Sequence, residues 1–269
     1  MPPTEPYPND SLRWVAAEVR YPQSAELAEA VPVAFRDHLH DQFPIFQEEP
    51  QVVLAFPGNP LQPVLRRRFL SRDRLLSVTV SRDLVTLEGT EYPGWTIFSR
   101  TFMDALRALA GAARPDGIAR VALRYIDEIR IPNVPATPAG WSGWIAEELI
   151  APFRLYDPER LTSGAAVVQY GTPPGFVIVF RASPLASGRT VMQQGALRMP
   201  VDTPDGPYFL IDSIAAWTDP EGQIPEFDPE RISGLLDDLH RPCREFFEAA
   251  ITDRLRDEVF NRPRGAVGA

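Results

Sequence analysis

In the segment RVALRYIDEIRIP, Arg120 to Pro132, charged and apolar residues alternate. Successive side chains of a strand point to opposite faces, so the even-numbered positions share one side. That side carries Arg120, Arg124 and Arg130, with Glu128 as the only acid in its row. Guanidinium groups bind phosphate or carboxylate through paired N–H donors. Grouped in one row, they repel one another unless carboxylates or a ligand neutralise them. We therefore expect an anion-recognition face, with Arg20, Arg66, Arg68 and Arg198 as further contributors from other strands. The competing reading is a solvated sheet face on which Glu18, Glu128 and Asp212 pair with the whole set.

Other chemistry-bearing residues are few. His38 and His40 are two apart and face different sides of a helix, and His240 stands alone near the C-terminus. Neither H-E-x-x-H nor a His/Cys pair at metal spacing occurs, so neither a metal site nor a cofactor is expected. Cys243 follows His240 by three residues but falls in an apolar stripe, where a packed thiol is the ordinary reading. Phosphate-cradling glycine loops and a G-x-S-x-G elbow are absent. Asp127, Glu128 and Asp212 are carboxylates of the kind that pair for acid–base work, although their spacing does not bring them together. Trp14, Trp95, Trp141, Trp144, Trp217, Tyr125 and Tyr208 line a pocket or fill a core.

The chain has 269 residues, 44% hydrophobic and 23% charged, enough to bury a large core. All 27 basic residues are arginine, and the net charge is −9. That balance argues against a surface that grips nucleic acid as a whole, while leaving room for a local basic groove. No apolar run is long enough to span a membrane, and the polar, proline-rich start lacks the layout of a signal peptide. The single cysteine fits a reducing compartment, so a cytoplasmic protein is expected.

Residues 12–21 alternate as a strand, and 24–42 read as a helix with Ser24 as N-cap and a kink or later start at Pro32. Strands are expected over 50–56, 64–71, 75–81 and 83–88, followed by a helix over 94–111 that glycine ends. The second half reads as strand 118–131, helix 141–151, strands 165–171, 175–182, 189–200 and 207–217, then a long helix over 228–261. Asp228-Pro229 supplies a helix start, and Leu239, Phe246 and Phe247 fall on its buried stripe. The expectation is an α+β single domain spanning 1–269, with pseudo-repeat halves 12–113 and 117–262. Each half is a strand–helix–four-strand–helix unit. Together they would form one curved antiparallel sheet with strand 118–131 near its middle and both long helices on one face. This is the order of the TATA-binding-protein-like or helix-grip class.

Four stretches also carry a family resemblance: RVALRYIDEIRIP, YPGW at Tyr92 to Trp95, FLIDSIAAW with Asp212, and LDDLHRPCREFFEAAITDRL. In this order they resemble a sporadically distributed prokaryotic family of about this length with an R-x-x-L-R-Y-[ND] core. Its pattern, as matched here, has Asn where this chain has Asp127. The resemblance implies a cytoplasmic protein and assigns no reaction.

Two functions follow as expectations. The first is a non-catalytic binding protein whose arginine-bearing sheet face recognises a protein, an anionic ligand or, less in keeping with the net charge, nucleic acid. The second is an enzyme or carrier for a small hydrophobic molecule held between the sheet and the last helix, in a cavity of roughly 300–1,000 Å³.

Overall fold

The computed structural model describes residues 6–29, 31–51, 64–134, 137–161, 163–171, 173–191, 196–199 and 206–262. Nine strands form one antiparallel sheet: β1 (Leu12–Arg20), β2 (Ile45–Gln51), β3 (Val64–Leu70), β4 (Leu76–Val80), β5 (Leu84–Gly89), β6 (Arg120–Ile129), β7 (Ala166–Tyr170), β8 (Phe176–Leu185) and β9 (Tyr208–Trp217). Their order is β2-β3-β4-β5-β1-β6-β9-β8-β7. The sheet is thus continuous across both halves, and the arginine strand lies beside its centre. Among the described residues, no helix is long and apolar enough to cross a membrane.

Two long helices cover one face: α3 (Trp95–Ala113) and α5 (Pro229–Ala250). Val15, Ala17 and Val19 of β1 and Val121, Leu123 and Tyr125 of β6 form one core cluster with Phe98, Phe102, Leu106, Ile232, Leu236 and Leu239 of these helices. Burying each valine, leucine, isoleucine or phenylalanine among them contributes about 1.5–3 kcal/mol. A second cluster, around Trp141, Phe209 and Ile251, continues the core beyond the end of α5. The alternation of β6 therefore resolves as expected: residues 121, 123, 125, 127, 129 and 131 are all buried on or against the helix side.

Local chemistry explains the helix ends. Gly94 precedes α3 at φ +91°, a left-handed conformation that favours glycine, and the helix stops at Arg114, also left-handed. It thus runs two residues past Gly111, the expected stop. Ser24 Oγ accepts from the Leu27 amide at the start of α1 (Ala25–Glu29), and after Pro32 the chain re-enters α2 (Val33–Leu39). The Asp228 side chain accepts from the Glu230 amide at the start of α5.

The long final helix ends at Ala250, eleven residues early. Ile251 is extended, and Thr252 caps a new short helix, α6 (Asp253–Leu255), which leads into a π turn over Arg256–Phe260. Between β6 and β7 a single short helix, α4 (Glu147–Ile150), with neighbouring 3-10 turns replaces the expected helix over 141–151. Leu239 is fully buried, whereas Phe246 and Phe247 are half-buried; Phe246 stacks on Phe180 at 3.7 Å between ring centres. The strand expected over 50–56 lies instead at 45–51, with residues 52–56 outside the described ones. As an edge strand, β2 tolerates Pro50, which has no N–H to give.

The strand expected over 189–200 is absent from that segment's described residues. Both edges of β9 are already taken by β6 and β8. The Thr190 and Val191 amides donate instead to Glu128 Oε1, at 2.7 and 3.2 Å. Among the described residues, then, three strands lie between β6 and α5.

Candidate functional sites on the two sheet faces

The face away from α3 and α5 carries the predicted arginines except Arg198, and most of them are paired. Arg124 binds Asp212 of β9 through two bonds of 2.9 Å. Arg20 and Arg120 share Glu18, at 2.7 and 3.1 Å. Arg68 bridges Glu49 and Glu88. Arg130 binds Glu128 and the carbonyls of Gly188 and Gly206, over the ring of Tyr208, with a side chain only 10% exposed. With Glu128 it ties the β8–β9 connection to the sheet. Arg67 lies on the opposite face, bound to helix α1 carbonyls and Glu48. Arg198 is exposed on the β8–β9 connection, off the sheet, where its amide donates to the Arg74 carbonyl. Arg66 has no ion-pair partner among the described residues.

Three of these arginines, with Glu18 and Glu88, border a groove of about 270 Å³. Ala16 and Ala122 floor it, because small side chains occupy the central rows of β1 and β6. Trp14, Arg66, Arg120 and Arg124 stand around it. Arg124 remains 41% exposed despite its ion pair. The three carboxylates Asp127, Glu128 and Asp212 do not meet: Asp127 faces the helices, Glu128 lies under the connection, and Asp212 faces the groove.

A second site lies on the helix side, and sequence reasoning missed it. A cleft of about 60 Å³ opens between the sheet, α5 and the segment leading into β1. Its position depends on a bulge. Leu12 pairs with Asp127 while Trp14 pairs with the adjacent Ile126, so β1 holds one extra residue, Arg13. The bulge turns Leu12 to the helix side and brings the Ser11 hydroxyl to the Asp127 carboxylate at 3.0 Å. Asp127 forms no ion pair among the described residues, and burial pushes its carboxyl up to about 7. Ser213, opposite Tyr125 on β9, also lines the cleft.

The helices supply the remaining wall. His240 of α5 lies flat against Trp95 of α3, 4.2 Å between ring centres and 9° from parallel. Its Nδ1 is 2.9 Å from the Tyr125 hydroxyl, and burial lowers its pKa to about 4, so the ring is neutral near pH 7. Trp95 is held by an indole N–H to Asp237, at 2.7 Å. The Tyr92 hydroxyl is out of water beside the Tyr125 hydroxyl, which in turn meets His240. Cys243 faces the same cleft, buried, with its thiol pushed up to about 12 and hence protonated. Arg244 at the rim is tied to Glu248 at 2.6 Å and lies over Tyr7.

All four stretches singled out in the sequence reach this cleft: Tyr92, Tyr125 with Asp127, Ser213, and His240 with Cys243. The one signal in the sequence was an acid, Asp127, in the apolar row of β6. Among the described residues no group of three His, Cys, Asp or Glu side chains is placed to hold a metal ion. No family model and no curated protein matches this chain.

Proposed function

We propose that this protein is a non-catalytic binding protein that seats a small polar group of its ligand in the cleft beneath α5. The observation that carries this reading is the set of buried polar groups turned into one opening. The Asp127 carboxyl, which accepts from Ser11 through one oxygen, and the Tyr92 hydroxyl, which neighbours Tyr125, keep acceptor capacity beyond these contacts. A long helix across the inner face of an antiparallel sheet is the helix-grip arrangement, and we read the fold as that class. The cleft's volume suits a head group of a few atoms, so a hydrophobic molecule would extend outward from it. No reaction is assigned. A cytoplasmic location fits the single, buried cysteine.

Saturation-transfer NMR with a mixture of small amines, alcohols, amides and carboxylates tests the reading. At least one class should bind the intact protein and lose binding in Ser213→Leu or Cys243→Met, each of which fills the cleft. Binding by none, or binding that survives in both folded variants, would contradict it.

A second reading is favoured by Arg66, which lacks an ion-pair partner among the described residues, and by the alanine-floored groove beside it. In this reading the open face takes an anionic group of a ligand or protein partner between Arg66, Arg120 and Arg124. Arg66→Ala and Arg124→Ala should then weaken capture while leaving the protein folded. A nucleic-acid partner would in addition show affinity falling steeply with salt.

A further inference from the structure

The geometry points to a specific ligand chemistry for the cleft beneath α5: the terminal ammonium of a primary alkylamine, with its carbon chain leading out through the mouth. This rests on the ligand-cleft reading above.

Charge is the first argument. Two carboxylates, Asp10 and Asp127, line the cleft, against one guanidinium, Arg244, whose charge is already shared with Glu248. Neutral His240 and protonated Cys243 add no charge near pH 7. An anionic ligand would sit against Asp127 and compete with Glu248 for Arg244, the one guanidinium in the lining.

Hydrogen bonding is the second. A primary ammonium has three donors and no acceptor. The floor offers the Asp127 carboxylate, the Tyr92 hydroxyl oxygen and the Ser213 hydroxyl as acceptors. The walls are aromatic: Tyr7, Tyr92, Tyr125 and Phe247. A cation is attracted to aromatic faces, and the Arg244 guanidinium already lies 5.6 Å from the centre of the Tyr7 ring.

Size is the third. An engineered cavity that holds benzene measures about 150 Å³, so about 60 Å³ admits an ammonium with one or two carbons. A quaternary ammonium is both too wide and without donors. The part-exposed rim at Pro6, Asp10 and Phe247 leaves an exit for the rest of the chain.

The pH dependence follows from the groups that face Asp127. Asp10, Ser11 and Arg13 come from the entry to β1, Tyr125 from the same strand, Tyr92 from the turn before α3, and His240, Cys243 and Arg244 from α5. Of the groups whose titration is perturbed here, only Asp127 changes charge between pH 6 and 8. Its ionised fraction rises about ten-fold over that interval while the amine stays protonated, so affinity should rise by up to about ten-fold.

The test is calorimetric titration of the intact protein at pH 6 and 8 with n-butylamine, n-butanol, butyrate and tetramethylammonium. Butylamine should bind, tighter at pH 8, and the other three at least ten-fold more weakly. Asp127→Asn should abolish the pH dependence and weaken butylamine at least ten-fold, and Tyr92→Phe should weaken it without changing the pH trend. Butanol or butyrate binding as well as butylamine, in a manner lost in Ser213→Leu, would overturn the ammonium assignment and leave the ligand cleft standing. Failure of every probe would overturn both.

Discussion

Asp127 and His240 make opposite demands on pH. The folded pKa of Asp127 is raised, so the folded state holds its proton longer than the unfolded chain does. Its contribution to stability is present in acid and is lost as pH rises from about 4 to about 7. Asp127→Asn keeps the shape and a partner for Ser11. In denaturant titrations the variant should be more stable than the parent at pH 8, by up to about 4 kcal/mol, with the difference shrinking towards pH 4. An unchanged or reduced stability at pH 8 would contradict the assignment. His240 has a lowered folded pKa, so its contribution is full above pH 6.5 and is lost as pH falls through about 4. His240→Gln retains a partner for Tyr125 but cannot take up the proton. Its stability should therefore decline less steeply than the parent's between pH 6.5 and 4, and a parallel decline would show that His240 is not the titrating group.

At the scale of elements, a buried ion pair ties the β8–β9 connection to the sheet. Glu128 accepts from two of its amides and Arg130 donates to two of its carbonyls. Arg130→Met should destabilise by about 3–5 kcal/mol, because it leaves a buried carboxylate without its cation. Amide exchange at Thr190 and Val191 should rise with it, and Glu128→Gln in the same chain should recover part of the loss. Phe246, stacked on Phe180 but half-buried, should cost about 1–3 kcal/mol as Ala, less than a fully packed phenylalanine. Elements with strict periodicity were legible before the structure. The two rows of β6, the apolar stripe of α3 and the Asp228 cap of α5 all follow from local pattern. The segment 189–200 misled because the adjacent strand in sequence, β9, is already paired on both edges. Glu128, distant in sequence, captures its amides instead. The early end of α5 was hidden for a similar reason. Ile251 continues the apolar pattern but pairs with Ile145 in an isolated bridge, outside the helix.

For the whole molecule, the sheet separates two kinds of chemistry. Its open face gathers guanidinium groups, and the sequence announced them through alternation in a single strand. Their pairing needed the register of β1, β6 and β9, which places Glu18 and Asp212 within reach. The helix side gathers Tyr92, Asp127, Ser213 and His240 from four distant segments, so only the tertiary fold could assemble that site. The central claim is that Asp127 is a buried carboxyl facing a ligand cleft. Carbon-detected NMR of the side-chain carboxyls across pH 3–9, with and without n-butylamine, tests it most directly. The Asp127 carboxyl should titrate at about 7 in the free protein and at lower pH once the amine is bound. An Asp127 that titrates near 4 with the exposed carboxylates, and is unmoved by the amine, would contradict the account.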